Sequence, residues 1–469
     1  MSQNKLKFNF YGAAQEVTGS NNLLEVEIGG KKTKLLVDCG LFQGSKINDE
    51  RNDKPFLYNP QDIDALVVTH AHLDHAGRIP KIVKNGFRGK IFSTLPTRDL
   101  SQIMLIDSLG ILRKQLGNNQ GRELIYTEED VEKAMSQWVT VGYHEEFSIG
   151  GLKINLKEAG HILGSAIVEV VAKGNTSGHA KGGAKIVFSG DLGDSPSPLL
   201  NDAEKITDAD FLVVESTYGN KKHEGMAETE VKLERIIEDT MFRNGVLMIP
   251  AFSLERTQKI LFQINNLVEG GRIPRVPIFL DSPLSIKATE IYKKNSRYYG
   301  ESAKELLLSG DDIFNFPGLK MTLATEESRR INNIPSPKII IAGSGMCNGG
   351  RILHHLRQYL GDSKNTLLIV SFQVAGSLGR RLSEGEKVVK IFGEDVLVEA
   401  DVHKIEGYSA HSDSDGLYDF VKNSADTLKK VFVNHGEPEA SLFLVQKIRD
   451  CLGLDAVAPK FGDSHMLNF

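Results

Sequence analysis

The sequence predicts an α/β protein whose reactive side chains stand at the ends of buried strands. Three observations predict it. Short apolar runs rich in Val and Ile give way again and again to His, Asp or Glu beside Gly. The middle of the chain alternates strand-like with helix-like runs. And His70, His72, Asp74 and His75 crowd into the run Thr69-His70-Ala71-His72-Leu73-Asp74-His75-Ala76-Gly77. Open α/β sheets place their ligand sites at such strand ends.

The elements follow in chain order. Leu35-Leu36-Val37 leads to Asp38, and Ala65-Leu66-Val67-Val68 leads to the histidine cluster. Lys153-Ile154-Asn155-Leu156 precedes Ala159-Gly160-His161, and Ile186-Val187-Phe188 leads through Ser189-Gly190 to Asp191. Phe211-Leu212-Val213-Val214 ends at Glu215, and Val431-Phe432-Val433 leads through Asn434 to His435-Gly436. Short Val- and Ile-rich runs ended by turn residues read as buried strands. The Gly-, Ser- and Lys-rich stretch from Lys173 to Gly183 reads as an exposed hairpin loop. In the middle, Gly245-Val246-Leu247-Met248-Ile249 is followed by a helical run from Leu254 to Leu267. That alternation predicts a parallel sheet with crossover helices. The expected divisions are residues 1–207, 208–395 and 396–469. If His435 completes a metal site, the last stretch folds back onto the first and the middle is an inserted domain.

Composition bounds the class. Hydrophobic residues make up 40% of the 469 residues and charged ones 25%, a globular balance. No apolar run approaches the roughly 18 residues of a spanning helix, so no membrane is expected. Met1-Ser2-Gln3-Asn4-Lys5-Leu6-Lys7 offers no apolar signal region. Cys39, Cys347 and Cys451 are too scattered for a disulfide framework. Together these point to the cytoplasm. The net charge of −5 argues against wrapping of nucleic acid by a basic surface. It leaves open a phosphodiester substrate, because bound divalent ions would dominate the local charge.

The cluster itself calls for metal. Imidazole nitrogen and carboxylate oxygen are both good ligands for a zinc-like cation. Crowding them costs folding free energy unless a metal satisfies them. One ion cannot easily take four ligands from so short a segment, whereas two can. Farther on, Lys338-Ile339-Ile340-Ile341 runs into Ala342-Gly343-Ser344-Gly345-Met346-Cys347-Asn348-Gly349-Gly350, and a helical run from Ile352 to Leu360 follows. Strand, glycine loop and helix start offer backbone N–H groups to an anion. Arg351 lies just beyond, and Ser371-Phe372-Gln373 with Gly376 to Arg381 forms a second strand-to-loop element able to meet phosphate. His354 and His355 are adjacent and diverge on a helix, which disfavours a further metal site.

The HxHxDH cluster with Asp38, His161 and Asp191 resembles the metallo-β-lactamase superfamily. Glu215 in Glu215-Ser216-Thr217-Tyr218-Gly219, His411 in Tyr408-Ser409-Ala410-His411-Ser412-Asp413, and His435 in Asn434-His435-Gly436-Glu437 resemble motifs A, B and C of its β-CASP branch. That branch contains nucleic-acid-processing nucleases, among them the cleavage-and-polyadenylation endonuclease group and bacterial ribonucleases. The resemblance implies a four-layer αβ/βα sandwich with an inserted β-CASP α/β domain. It implies two zinc ions, with manganese as the substitute. His70, His72 and His161 would hold one, Asp74, His75 and His435 the other, and Asp191 would bridge them. Asp38, Asp74, Glu215 and His411 form the implied catalytic set, with His411 as general acid oriented by Glu215. Gly343, Ser344, Gly345 and Met346 resemble the family's phosphate-contact loop, and Arg351 and Gln373 join them as substrate contacts. Pro250-Ala251-Phe252-Ser253 and Asp281-Ser282-Pro283-Leu284 match cassette segments. The DNA-acting members tend to carry Val at motif C, so His435 favours RNA; the expected partner is single-stranded RNA. The rival readings are a DNA-processing nuclease, a small-molecule metallo-hydrolase, and a scaffold subunit that would be expected to lack ligands. A homodimer is the assembly to test.

Overall fold

The computed structural model describes residues 4–44, 46–117, 123–173, 183–374 and 376–469. They form two compact units. The first comprises residues 1–197, 201–222 and 411–469, the second 198–200 and 223–410.

The first unit is built on two seven-stranded sheets. One runs in the order Ser464–Asn468, Lys5–Phe10, Asn22–Ile28, Lys31–Val37, Ala65–Val67, Lys90–Ser93, Trp138–Thr140. The other runs Ala456–Val457, Lys430–Val433, Phe211–Val214, Gly183–Phe188, Ala166–Lys173, Leu152–Glu158, Phe147–Ile149. Successive side chains of a strand point to opposite faces, and here both faces are buried. Leu35 and Val37 join Ile186, Phe188 and Phe432 in the core between the sheets. Leu36 packs outward with Ile79, Ile82, Leu105 and Leu109 of the covering helices. On the other side Val187, Leu212 and Val214 meet Leu417, Phe420, Leu444 and Ile448 of helices Ser414–Lys422 and Pro438–Leu452. The result is the expected four-layer αβ/βα sandwich.

Phe432 sits at the centre of the inter-sheet core. Its ring lies 4.9 Å from that of Phe8 and 5.2 Å from that of Phe10. Truncating a buried Phe costs about 3–5 kcal/mol in lost burial and cavity. Phe432→Ala is therefore expected to lower unfolding stability by that amount, read from denaturant melts. A change below about 1 kcal/mol, within the range of a surface substitution, would contradict this packing.

The compact units change over at residues 222/223 and 410/411, later than the sequence boundaries at 207/208 and 395/396. The cause is strand pairing. Phe211–Val214 lies parallel to both Gly183–Phe188 and Lys430–Val433, which fixes it in the first unit. The hairpin tip expected between Lys173 and Gly183 falls on residues 174–182, outside the described residues. The flanking strands pair antiparallel with Lys173 opposite Gly183.

The second unit carries a six-stranded sheet in the order Leu319–Met321, Ile278–Leu280, Lys338–Ala342, Val246–Pro250, Thr366–Ile369, Asp401–Lys404. Every pairing in it is parallel, as the alternating pattern predicts. The helix expected from Leu254 runs instead over Arg256–Glu269. Glu255, at φ +59°, is outside helical geometry. It is buried and accepts a 2.6 Å hydrogen bond from Tyr292 Oη, which holds the chain out of the helix at that point.

Candidate metal centre

The histidine cluster begins where Ala65–Val67 ends. His72 precedes the short helix Leu73–Ala76, which carries Asp74 and His75. That helix is pinned to the end of Lys31–Val37. Cys39 N–H donates to His75 O at 2.7 Å, and Leu41 N–H to Leu73 O at 2.7 Å. The approach needs Gly40, since a Cβ there would stand 1.5 Å from Asp74 O. Asp191 follows Gly190 at the end of Gly183–Phe188, and His161 follows Leu152–Glu158. His435 arrives on the turn after Lys430–Val433, its N–H donating to Ala13 O at 2.6 Å.

These side chains converge from positions up to 365 residues apart (435 − 70). Ligand atoms of His70, His72, His161 and Asp191 lie within 4.8 Å of one another, as do those of Asp74, His75 and His435. His72 Nδ1 is 3.1 Å from both His70 Nε2 and His161 Nε2. Asp191 faces both groups. Its Oδ2 is 3.4 Å from His70 Nε2 and 3.6 Å from His161 Nε2, and its Oδ1 is 3.3 Å from His75 Nε2 and 3.7 Å from His435 Nε2.

Behind this front, Asp38 takes a 2.7 Å hydrogen bond from His75 Nδ1. Asp38 is itself held by Thr69, whose N–H donates to Oδ1 at 2.8 Å and whose Oγ1 lies 2.9 Å from Oδ2. Glu215 is buried and accepts from Leu192 N–H at 2.7 Å, and both its oxygens lie 3.3 Å from His411 Nδ1. His411 Nδ1 is also 3.8 Å from Asp191 Oδ2.

The electrostatics divide the imidazoles. Burial pulls His70, His72 and His161 down, His72 to about 4, which keeps each neutral with a lone pair to offer. Burial also opposes charge on His75, but Asp191 and Asp38 outweigh it and raise that group. Burial works against His411 too, and Glu215, Asp191 and Asp74 override it. The residues fit a metal by their donor chemistry. They also fit by two buried ligand atoms, His75 Nε2 and Asp191 Oδ1, that face each other at 3.3 Å without hydrogen-bond geometry. Unpaired buried polar atoms are costly, and a cation between them would satisfy both.

The glycine loop lies in the second unit, between Lys338–Ala342 and the helix Ile352–Tyr359. Gly343 O accepts from Ile352 N–H at 3.0 Å, Ser344 N–H donates to Gly349 O at 3.2 Å, and Met346 O accepts from Gly379 N–H at 3.2 Å. Arg351 and Gln373 brace the loop region. Arg351 donates to Asp281 Oδ1 at 2.7 Å and to the carbonyls of Thr322 and Leu323. Gln373 Nε2 donates to Gly345 O at 2.9 Å. His355 turns inward onto Asp281 at 2.7 Å while His354 packs on Phe392, so the two diverge as expected. Sequence reasoning passed over Thr69, though it stands inside the cluster, and gave Asp281 no role as the hub for Arg351 and His355. The signal for Asp281 was a carboxylate at a strand end. Its partners stand 41 to 74 residues away.

Three family models match the chain. They are a metallo-beta-lactamase superfamily domain over residues 23–182, a Beta-Casp domain over 257–382, and a Zn-dependent metallo-hydrolase RNA specificity domain over 395–459. The chain is 37% identical over 453 residues to Ribonuclease TTHA0252 of Thermus thermophilus, covering 97% of this chain and 98% of that protein. It is 30% identical over 463 residues to Transcription termination factor FttA of Methanosarcina mazei, covering 95% of this chain and 69% of that one. A crystal structure titled as a protein of unknown function from Enterococcus faecalis V583 aligns with a TM-score of 0.54 at 11% identity, over 99% of this chain and 100% of that one, a likeness of fold. No helix among the described residues is long and apolar enough to cross a membrane. With matched domains across its length and a near full-length relative, the chain belongs to the β-CASP branch of the metallo-β-lactamase superfamily and is a metal-dependent hydrolase.

Proposed function

We propose that this chain is a zinc-dependent ribonuclease that hydrolyses phosphodiester bonds of single-stranded RNA, with His411 as general acid. The observation that carries the reading is the Glu215–His411 pair, with His411 Nδ1 3.8 Å from Asp191, whose two oxygens face His70 and His161 on one side and His75 and His435 on the other. The name of the ribonuclease relative supports it. His70, His72 and His161 would hold one zinc ion and Asp74, His75 and His435 the other, with Asp191 between them and manganese as the substitute. Bound there, the ions would supply an acidified water at cellular pH and neutralise charge on an in-line displacement.

The chain's own groups do the rest. His411 keeps a proton for the leaving 3′ oxygen, and Glu215 fixes its ring and tautomer. Asp38 fixes His75 so that Nε2 faces Asp191. The loop Gly343, Ser344, Gly345 and Met346 would receive a backbone phosphate on its free N–H groups, the Ser344 N–H being taken by Gly349 O, with Arg351 and Gln373 keeping the loop in shape.

The test pairs metal analysis with substrates. Gently purified protein should contain close to two zinc-class ions and degrade end-labelled RNA, while leaving DNA of the same sequence and small esters intact. Chelation should stop cleavage and lower the melting temperature, because the ions bind only the folded chain. Protein without bound metal, or with equal action on DNA, would overturn the reading.

A further inference from the structure

The buried hydroxyl of Thr69 lies between a cluster histidine and the carboxylate behind it. Thr69 Oγ1 is 3.1 Å from His70 Nδ1 and 2.9 and 3.0 Å from the two oxygens of Asp38. A hydroxyl has one proton to give and lone pairs to accept with. Asp38 can only accept when ionised, so the Thr69 proton goes to Asp38. Oγ1 then accepts from His70, which places the His70 proton on Nδ1 and leaves the Nε2 lone pair facing His72, His161 and Asp191. The same carboxylate accepts directly from His75 Nδ1 at 2.7 Å. One carboxylate therefore sets the tautomer of one histidine in each cluster: His75 by contact, and His70 through Thr69. The side chain has little freedom to move away. Its N–H is bound to Asp38, and Gly190 packs so closely that a Cβ there would lie 2.8 Å from Thr69 Cβ.

We propose that Thr69 is a positioning residue that relays Asp38 to His70 and so tunes metal affinity at the His70–His72–His161 cluster alone. The proposal rests on the reading that this cluster holds a metal. Outer partners of a metal-binding histidine are typically worth 10–100-fold in affinity. Thr69 Oγ1 also lies 3.4 Å from His75 Nδ1, but the 2.7 Å contact of His75 with Asp38 is much the shorter and does not pass through Thr69, so the other cluster keeps its affinity.

The experiment is zinc competition against a chromogenic chelator on the full chain, resolving the two ions. Thr69→Val should weaken one zinc by about 10–100-fold and leave the second within a few-fold. Thr69→Ser, which restores the hydroxyl, should recover wild-type affinity for both. Asp38→Asn should weaken both ions. In the zinc-loaded wild type, histidine-ring NMR should show a slowly exchanging Nδ1–H on His70 close to the Thr69 methyl. That measurement stands whether or not the Val variant folds. Loss of both ions equally in Thr69→Val, failure of Ser to rescue, or a rapidly exchanging His70 Nδ1–H would overturn the relay. A wild type that takes up no zinc would overturn the metal reading first, and the relay with it.

Discussion

His411→Ala is expected to slow the proposed RNA cleavage by about 10²–10⁴-fold, the usual worth of a positioned acid, while leaving the metal content unchanged. The separation follows from the geometry. His411 Nδ1 stands 3.3 Å from both oxygens of Glu215; it also groups with Glu215 and Asp191, but each of the two histidine-rich clusters is complete without it. The pH–rate profile gives the sign of the proton transfer. Glu215 and its neighbours outweigh burial and hold His411 above the ordinary imidazole range. The acid form is lost as pH rises through that raised value, so the wild type shows a falling limb on the alkaline side. Glu215→Gln removes the principal raising charge and leaves burial in force, so the limb should move to lower pH. In His411→Ala it should vanish. RNAs with a more acidic leaving group should lose less, because they need less protonation. Wild-type rates in His411→Ala, or loss of its zinc, would show that the role given to this residue is wrong.

Asp191→Ala has the larger expected effect: metal content falls from about two ions per chain toward none, and cleavage drops below detection. Asp191 turns one oxygen to each cluster, so its removal would strip a ligand from both proposed ions at once. His72→Ala removes a ligand from one cluster only, and should deplete that ion first while abolishing activity. Metal analysis of the two variants side by side distinguishes them. Asp191→Ala protein with two retained ions would rule out Asp191 as the shared ligand.

The chemistry was legible in the sequence where ligands are local. Three histidines and an aspartate within residues 70–75 announce a metal because residue type and spacing agree. The strands were legible too, because Val- and Ile-rich runs such as Phe211–Val214 end at turn residues. Distant partnerships were not. Nothing near Asp281 foretells His355, 74 residues on, and the Thr69 hydroxyl looks like any strand-end threonine until Asp38 is seen against it. The start of Arg256–Glu269 was misplaced because a buried glutamate with positive φ, held by Tyr292, overrides helix propensity at that point. The domain limits shifted because pairing between distant strands, not local composition, decides which unit a strand joins.

Residues 411–469 return to the first unit and bring with them His411 and His435. During synthesis, a chain interrupted anywhere before residue 411 carries the whole early histidine cluster. It has neither the imidazole that pairs with Glu215 nor the third member of the Asp74–His75–His435 group. If His411 and His435 have the roles proposed for them, such a chain is expected to be inert. Competence would then depend on residues 411–469 joining the strands laid down at the start of the chain.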